Sequence, residues 1–171
     1  MLAMEQVSND IKSSWFDITI HLFFHKRVSF EVAERAIRKL DKHINKKLLG
    51  RKFSSAEMEP YRLKWVGFLE DSDNGNKHCH MMVKFPQRNR IDDFNKIIGR
   101  EFGKVWIGGE VGDIQENYND IEDKERWLRA WQRNGKKPLR SFSGSDIEYQ
   151  WKYYTKDTNN TNRNIITSNN W

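Results

Sequence analysis

The chain has 171 residues, 30 Lys and Arg against 24 Asp and Glu for a net charge of +6, and a single cysteine. That length suits one domain that buries a core without crosslinks, and one cysteine excludes an internal disulfide framework and any multi-cysteine zinc site. Met1 to Ser14 lacks the apolar core of a secretory signal, and apolar runs are strand-sized, so no membrane span and an intracellular location are expected. Basic charge combined with seven tryptophans suits phosphate contacts and base stacking, although solubilising charge and core tryptophans explain the same composition.

Trp15 to His25 alternates, with Phe16, Ile18, Ile20, Leu22 and Phe24 on one face and Asp17, Thr19, His21 and His25 on the other, which predicts a half-buried strand. Ser29, followed by Glu31 and Glu34, opens a helix to about Leu49. Val32, Ala36, Ile37, Leu40, Ile44 and Leu48 form its apolar stripe, and Gly50 stops it. A second strand is expected over Tyr61 to Glu70, with Leu63, Trp65 and Leu69 toward the core and Arg62, Lys64 and Glu70 opposite. The turn signal Asn74-Gly75 leads into a third strand that Pro86 ends. A helix from about Ile91 to Phe102, a strand from Val105 to Ile114, an amphipathic helix over Asn119 to Asn134 and a last helix from Ser145 to about Lys156 follow.

This order predicts an α+β fold, a ferredoxin-like antiparallel sheet of about five strands with flanking helices and the histidine strand at its centre. One domain over residues 1–157 and a disordered, asparagine-rich tail over 158–171 are expected.

Within the third strand, His78-Cys79-His80 puts two imidazoles on one face and Cys79 on the other. Two surface histidines on an edge strand would look the same, so a third ligand decides. Glu70 supplies one if the hairpin loop is odd-numbered. A two-residue loop pairs Glu70 with Cys79, on the wrong face, whereas a three-residue Asn74-Gly75-Asn76 loop pairs it with His80. Two imidazoles and a carboxylate suit Mn²⁺ or Mg²⁺ acting on a phosphate oxygen.

On the last helix, Tyr149, Tyr153 and Lys156 share one side, and a tyrosine beside a metal-bound phosphate can act as a nucleophile with lysine supplying positive charge. Thr19, His21, Arg62, Lys64 and Lys84 on the polar sheet face, and Arg126, Arg129 and Arg133 in a basic and aromatic cluster, are candidate DNA contacts.

Three blocks resemble, in order, the motifs of the HUH endonucleases, specifically rolling-circle replication initiators. They are the strand containing Asp17-Ile-Thr19, Glu70 with His78-Cys79-His80, and Tyr153-Tyr-Thr-Lys156. The resemblance spans roughly Trp15 to Asp157. It implies that Tyr153 attacks a scissile phosphate of single-stranded origin DNA, leaving a 5′-phosphotyrosine link and a free 3′-hydroxyl, and that ends can be rejoined. Glu70, His78 and His80 would hold the metal and Lys156 would assist. Asp157 follows the lysine as an acidic residue does in some relatives.

Tyr149-x-x-Lys152 preceding Tyr153-x-x-Lys156 also resembles the two-tyrosine initiators, making Tyr149 a candidate second nucleophile. Gly99 to Val105 lacks the spacing and the Ser/Thr of a phosphate loop, so a host or separate helicase is expected to unwind the origin. The resemblance is compatible with the cytoplasm of a prokaryotic host or the nucleus of a eukaryotic one. The alternatives are a single-tyrosine HUH transposase and a non-catalytic ferredoxin-like nucleic-acid-binding module.

Overall fold

The computed structural model describes residues 16–71, 74–116 and 165–168. These form strand β1 (Ile18–Phe23), helix α1 (Phe30–Leu49), strands β2 (Lys64–Asp71) and β3 (Lys77–Lys84), helix α2 (Ile91–Val105) and strands β4 (Glu110–Glu116) and β5 (Ile165–Thr167). All neighbouring strands are antiparallel in the order β4-β1-β3-β2-β5, so β3 is hydrogen-bonded to β1 on one side and to β2 on the other. The architecture is α+β, a five-stranded antiparallel sheet with flanking helices.

The apolar face of β1 is the one the sequence predicts, with Ile18, Ile20, Leu22 and Phe24 wholly buried under the helices, but the strand is not half-buried: on its other face Asp17 and Thr19 are at most 4% exposed. Helix α1 answers with Ala33, Ala36, Ile37, Leu40, Ile44 and Leu48. Its ends are set chemically. The Ser29 hydroxyl accepts from the Val32 N–H at 3.3 Å, and Gly50, at φ 83°, donates its N–H to the Lys46 carbonyl. Asn45 then ties α1 to β2, accepting the Leu63 N–H at 3.1 Å and donating to the Asp41 carboxylate at 2.8 Å. A buried amide with both ends satisfied fixes the helix axially as well as adding packing.

Several boundaries differ from expectation. A short 3₁₀ segment, Ala56–Tyr61, occupies the approach to β2. Helix α2 continues to Val105, because Trp106 N–H still finds the Phe102 carbonyl and Gly108, at φ 79°, makes the turn; β4 therefore begins at Glu110, not Val105. Within the stretch expected to be a disordered tail, Ile165–Thr167 instead pairs with β2. The backbone of Ile165–Thr167 pairs with the open edge of β2, and Ser168 exchanges hydrogen bonds with the Trp65 backbone. Gly67 lets this edge close: a Cβ there would lie 3.0 Å from Cys79 Sγ and 3.1 Å from Ile166 Cγ1.

The second sheet face is not a plain polar surface. Val66, Phe68 and Met82 lie on it, opposite the helices, and each is at most 1% exposed. No helix among the described residues is long and apolar enough to cross a membrane.

Candidate metal centre

Glu70, His78 and His80 meet on this second face. The pairing of β2 with β3 sets Glu70 opposite His78 and Asp71 opposite Lys77, closed by a five-residue loop over 72–76. The loop is odd-numbered, so Glu70 shares a face with the imidazoles. The expected partner was His80 through a three-residue loop; the two further residues move Glu70 to His78, which preserves the parity that matters. Gly75, at φ 76°, and the Asn74 side chain, accepting from the Asn76 N–H at 3.1 Å, shape the turn.

The three ligand atoms form a nearly equilateral triangle. Glu70 Oε2 is 3.3 Å from His78 Nε2 and 3.4 Å from His80 Nε2, and the two nitrogens are 3.1 Å apart. For metal–ligand bonds of about 2.1 Å, adjacent ligands are about 3.0 Å apart in an octahedron and about 3.4 Å in a tetrahedron. The observed triangle thus has the size of one face of either polyhedron, leaving the remaining positions open. It is the only cluster of metal-ligating side chains of this kind among the described residues.

Protons alone serve this triangle poorly. If both Nε2 atoms carry hydrogen and donate to Glu70, two N–H groups confront each other at 3.1 Å; if one is bare, it is an acceptor beside a carboxylate. A cation at the centre satisfies all three, so the donor set fits a divalent ion. The carboxylate is already prepared for it. Burial pushes its pKa up, but hydrogen bonds and charge from His78 and His80 outweigh this and bring it from 4.5 down to about 2.

Strand β1 walls the site. His21 lies directly opposite His80, with ring centroids 4.2 Å apart at 82°, and Phe23 stacks on His78 at 6.1 Å and 25°. Between Ile20↔Ile114 and Leu22↔Val111, one residue of β1, His21, faces two of β4, Gly112 and Asp113. Such a bulge redirects the side chain opposite it. Gly112 is required here, because a Cβ would come within 2.6 Å of the Phe23 ring. Phe68, paired with His80 across the β2–β3 ladder, is buried beside the site.

Cys79 points to the other side and is wholly buried in the helix-covered core, where burial pushes its thiol pKa far up. It is not a ligand of this centre.

The remaining candidates divide. His21 lies beside the centre, directly opposite His80. Thr19 shares its sheet face but is only 2% exposed, too covered for a phosphate contact. The Arg62 guanidinium donates to the Phe53 and Ser55 carbonyls, both at 2.8 Å, and so serves the loop before β2 instead of the sheet face. Lys64 and Lys84 lie directly opposite each other, six and four residues along their strands from Glu70 and His80. Tyr149, Tyr153, Lys156, Asp157, Arg126, Arg129 and Arg133 lie outside the described residues.

Sequence reasoning missed Phe23, Phe68 and the bulge. The uninterrupted run Trp65-Val66-Gly67-Phe68-Leu69 was a signal for a strand buried on both faces, since strict alternation fails there. Comparison of the chain with protein-family models, with curated proteins and with solved structures finds no match in any of the three.

Proposed function

We propose that the protein is a metal-dependent nicking and joining endonuclease of the HUH type that acts on single-stranded DNA at a replication origin. One observation carries this reading: Glu70, His78 and His80 converge as a three-ligand face on adjacent strands of an antiparallel sheet, with coordination positions left for substrate. Supporting it, β-α-β-β-α-β order with the first four strands arranged 4-1-3-2 is that of ferredoxin-like folds. Glu70, His78 and His80 would hold Mn²⁺ or Mg²⁺, which would supply Lewis-acid polarisation of a bound phosphate.

In this reading Tyr153 gives up its hydroxyl proton as its oxygen bonds to the scissile phosphorus, and the P–O3′ bond breaks, leaving a 5′-phosphotyrosine and a 3′ oxygen that takes up a proton to become the 3′-hydroxyl. Lys156 stabilises the charge that develops. Tyr149 is the second nucleophile if two are used in turn. His21 and Phe23 hold the imidazole rings in place, and Glu70 keeps its charge throughout the neutral range.

The test is incubation of the full chain with Mn²⁺ and single-stranded oligonucleotides carrying origin-like hairpins, followed by denaturing electrophoresis. A covalent adduct that is lost in Tyr153→Phe and in His80→Ala is expected. Adduct retained in Tyr153→Phe reassigns the nucleophile. Oligonucleotide binding with no adduct for any substrate refutes the nuclease reading in favour of a binding module.

A further inference from the structure

The chain's net charge is concentrated far from the metal centre. Residues 30–52, comprising α1 and the three residues after it, carry eight Lys and Arg against Glu31, Glu34 and Asp41, a net +5 of the total +6. Of the three acids, Glu34 is paired with Arg38 at 2.8 Å, Asp41 lies off the outward face, and Glu31 is exposed one turn before Arg35, at the N-terminal end of the basic band.

At about 100° per residue, Arg35, Lys39, Lys42 and Lys46 fall within a band about 60° wide, centred about 155° from the middle of the buried stripe. All four are exposed. They face directly away from the sheet, on the side opposite the Glu70–His78–His80 face. Among the described residues, the ion pairs of α1 are Glu34–Arg38 and His43–Glu101, and none involves Lys39, Lys42 or Lys46.

Like charges spaced three and four residues apart destabilise a helix by roughly 0.2–0.5 kcal/mol per pair. The sequence places three such contacts in a row, at 35/39, 39/42 and 42/46, with an anionic partner as the natural compensation. The band spans about 16 Å along the helix axis. It offers no exposed aromatic or aliphatic side chain, because the apolar residues of α1 are spent on the core. That composition cannot stack bases, as single-strand binding uses, and cannot insert into lipid. What remains is contact with a regular array of phosphates.

We propose that Arg35, Lys39, Lys42 and Lys46 form a second nucleic-acid site, which binds the phosphate backbone of duplex DNA without sequence preference. The site is independent of the metal centre and lies on the other side of the sheet, so the chain can hold duplex on its helical face while a single strand occupies the other. Four phosphate contacts correspond to a salt slope of about −3.6 in log K against log [salt], a loss of about 100-fold between 50 and 200 mM.

The experiment measures fluorescence anisotropy of a labelled 20-base-pair duplex of arbitrary sequence against NaCl concentration. It compares the full-length protein with the variant Arg35→Gln/Lys39→Gln/Lys42→Gln/Lys46→Gln. Glutamine keeps helix propensity, and an unchanged melting curve establishes that the variant folds. Expected is a loss of about 10- to 100-fold in affinity at 100 mM NaCl, with the slope shallower by about 3 to 4. A variant with Lys39, Lys42 and Lys46 replaced by arginine is expected to bind as the parent does. Unchanged duplex affinity and slope in the glutamine variant overturn the proposal. So does loss of binding to phosphatidylserine vesicles with duplex binding retained, which assigns the stripe to a membrane surface. Glu70→Gln is expected to leave duplex binding intact, so failure of the nuclease reading and failure of this one are read separately.

Discussion

Replacing Glu70 by glutamine separates the two roles of its carboxylate, holding the imidazoles and binding a cation. The fall of its pKa from 4.5 to about 2 corresponds to about 3.4 kcal/mol of interaction favouring the charged form. The side chain is 32% exposed, so solvent screening reduces the usable part to roughly 1–2 kcal/mol. A group whose folded pKa is depressed stabilises the fold above its unfolded pKa and loses that contribution as pH falls through the folded value. Glu70→Gln is therefore expected to lower metal-free stability by roughly 1–2 kcal/mol at pH 7 in urea titrations. The deficit shrinks below pH 4.5 and vanishes near pH 2. Added Mn²⁺ then widens the gap: the parent gains RT ln(1 + [L]/Kd), about 2.7 kcal/mol at 100 times Kd, and the variant, with one ligand and one charge fewer, gains much less. Equal stability of the two proteins at pH 7, combined with equal stabilisation by Mn²⁺, refutes Glu70 as a ligand.

Asp41 has the opposite sign. Burial raises its pKa from 3.8 to about 6, partly offset by the Asn45 hydrogen bond, so its contribution is intact below pH 3.8 and is lost as pH rises through about 6. Asp41→Asn, which keeps an oxygen for the Asn45 amide, is expected to be more stable than the parent by roughly 1–2 kcal/mol at pH 7–8 and equal to it below pH 4. Denaturant titration at the two pH values checks this, and a destabilised variant at pH 8 refutes it. Cys79 is wholly buried with its thiol pKa pushed far up, so a thiol reagent is expected to leave the native protein unlabelled for hours and to label it fully in urea. Rapid stoichiometric labelling without denaturant contradicts the placement of Cys79 in the core.

Helix α1 and strand β1 were legible because their signals are periodic and local. A 3.6-residue stripe between Ser29 and Gly50, and an uninterrupted alternation from Phe16 to Phe24, leave the chain one economical way to bury apolar area. Strand β5 was not legible. Ile166 pairs with Gly67, 99 residues earlier, and three residues of strand carry too little pattern to stand out in a polar tail. What selects them is the open edge of β2 and the space left by Gly67 beside Cys79, which are properties of the assembled sheet. The bulge opposite His21 is the same kind of feature, since one strand's sequence says nothing of how many residues its neighbour sets against it.

The metal centre lies between these cases, and the reason is parity. Side-chain direction in a strand has only two values, so His78 and His80 agree by spacing alone, and Glu70 joins them for any hairpin loop with an odd number of residues. The chemistry of three convergent ligands requires the odd value without specifying three or five. A loop of five in place of three slides Glu70 by one residue pair, from His80 to His78, about 7 Å along the ladder. Yet Oε2 still lies within 3.4 Å of both Nε2 atoms, because the two imidazoles reach toward a common point that a carboxylate can approach from either pairing. The site therefore tolerates the quantity the sequence leaves open and depends on the one it fixes, which explains why a metal triad could be named from residues whose exact register could not.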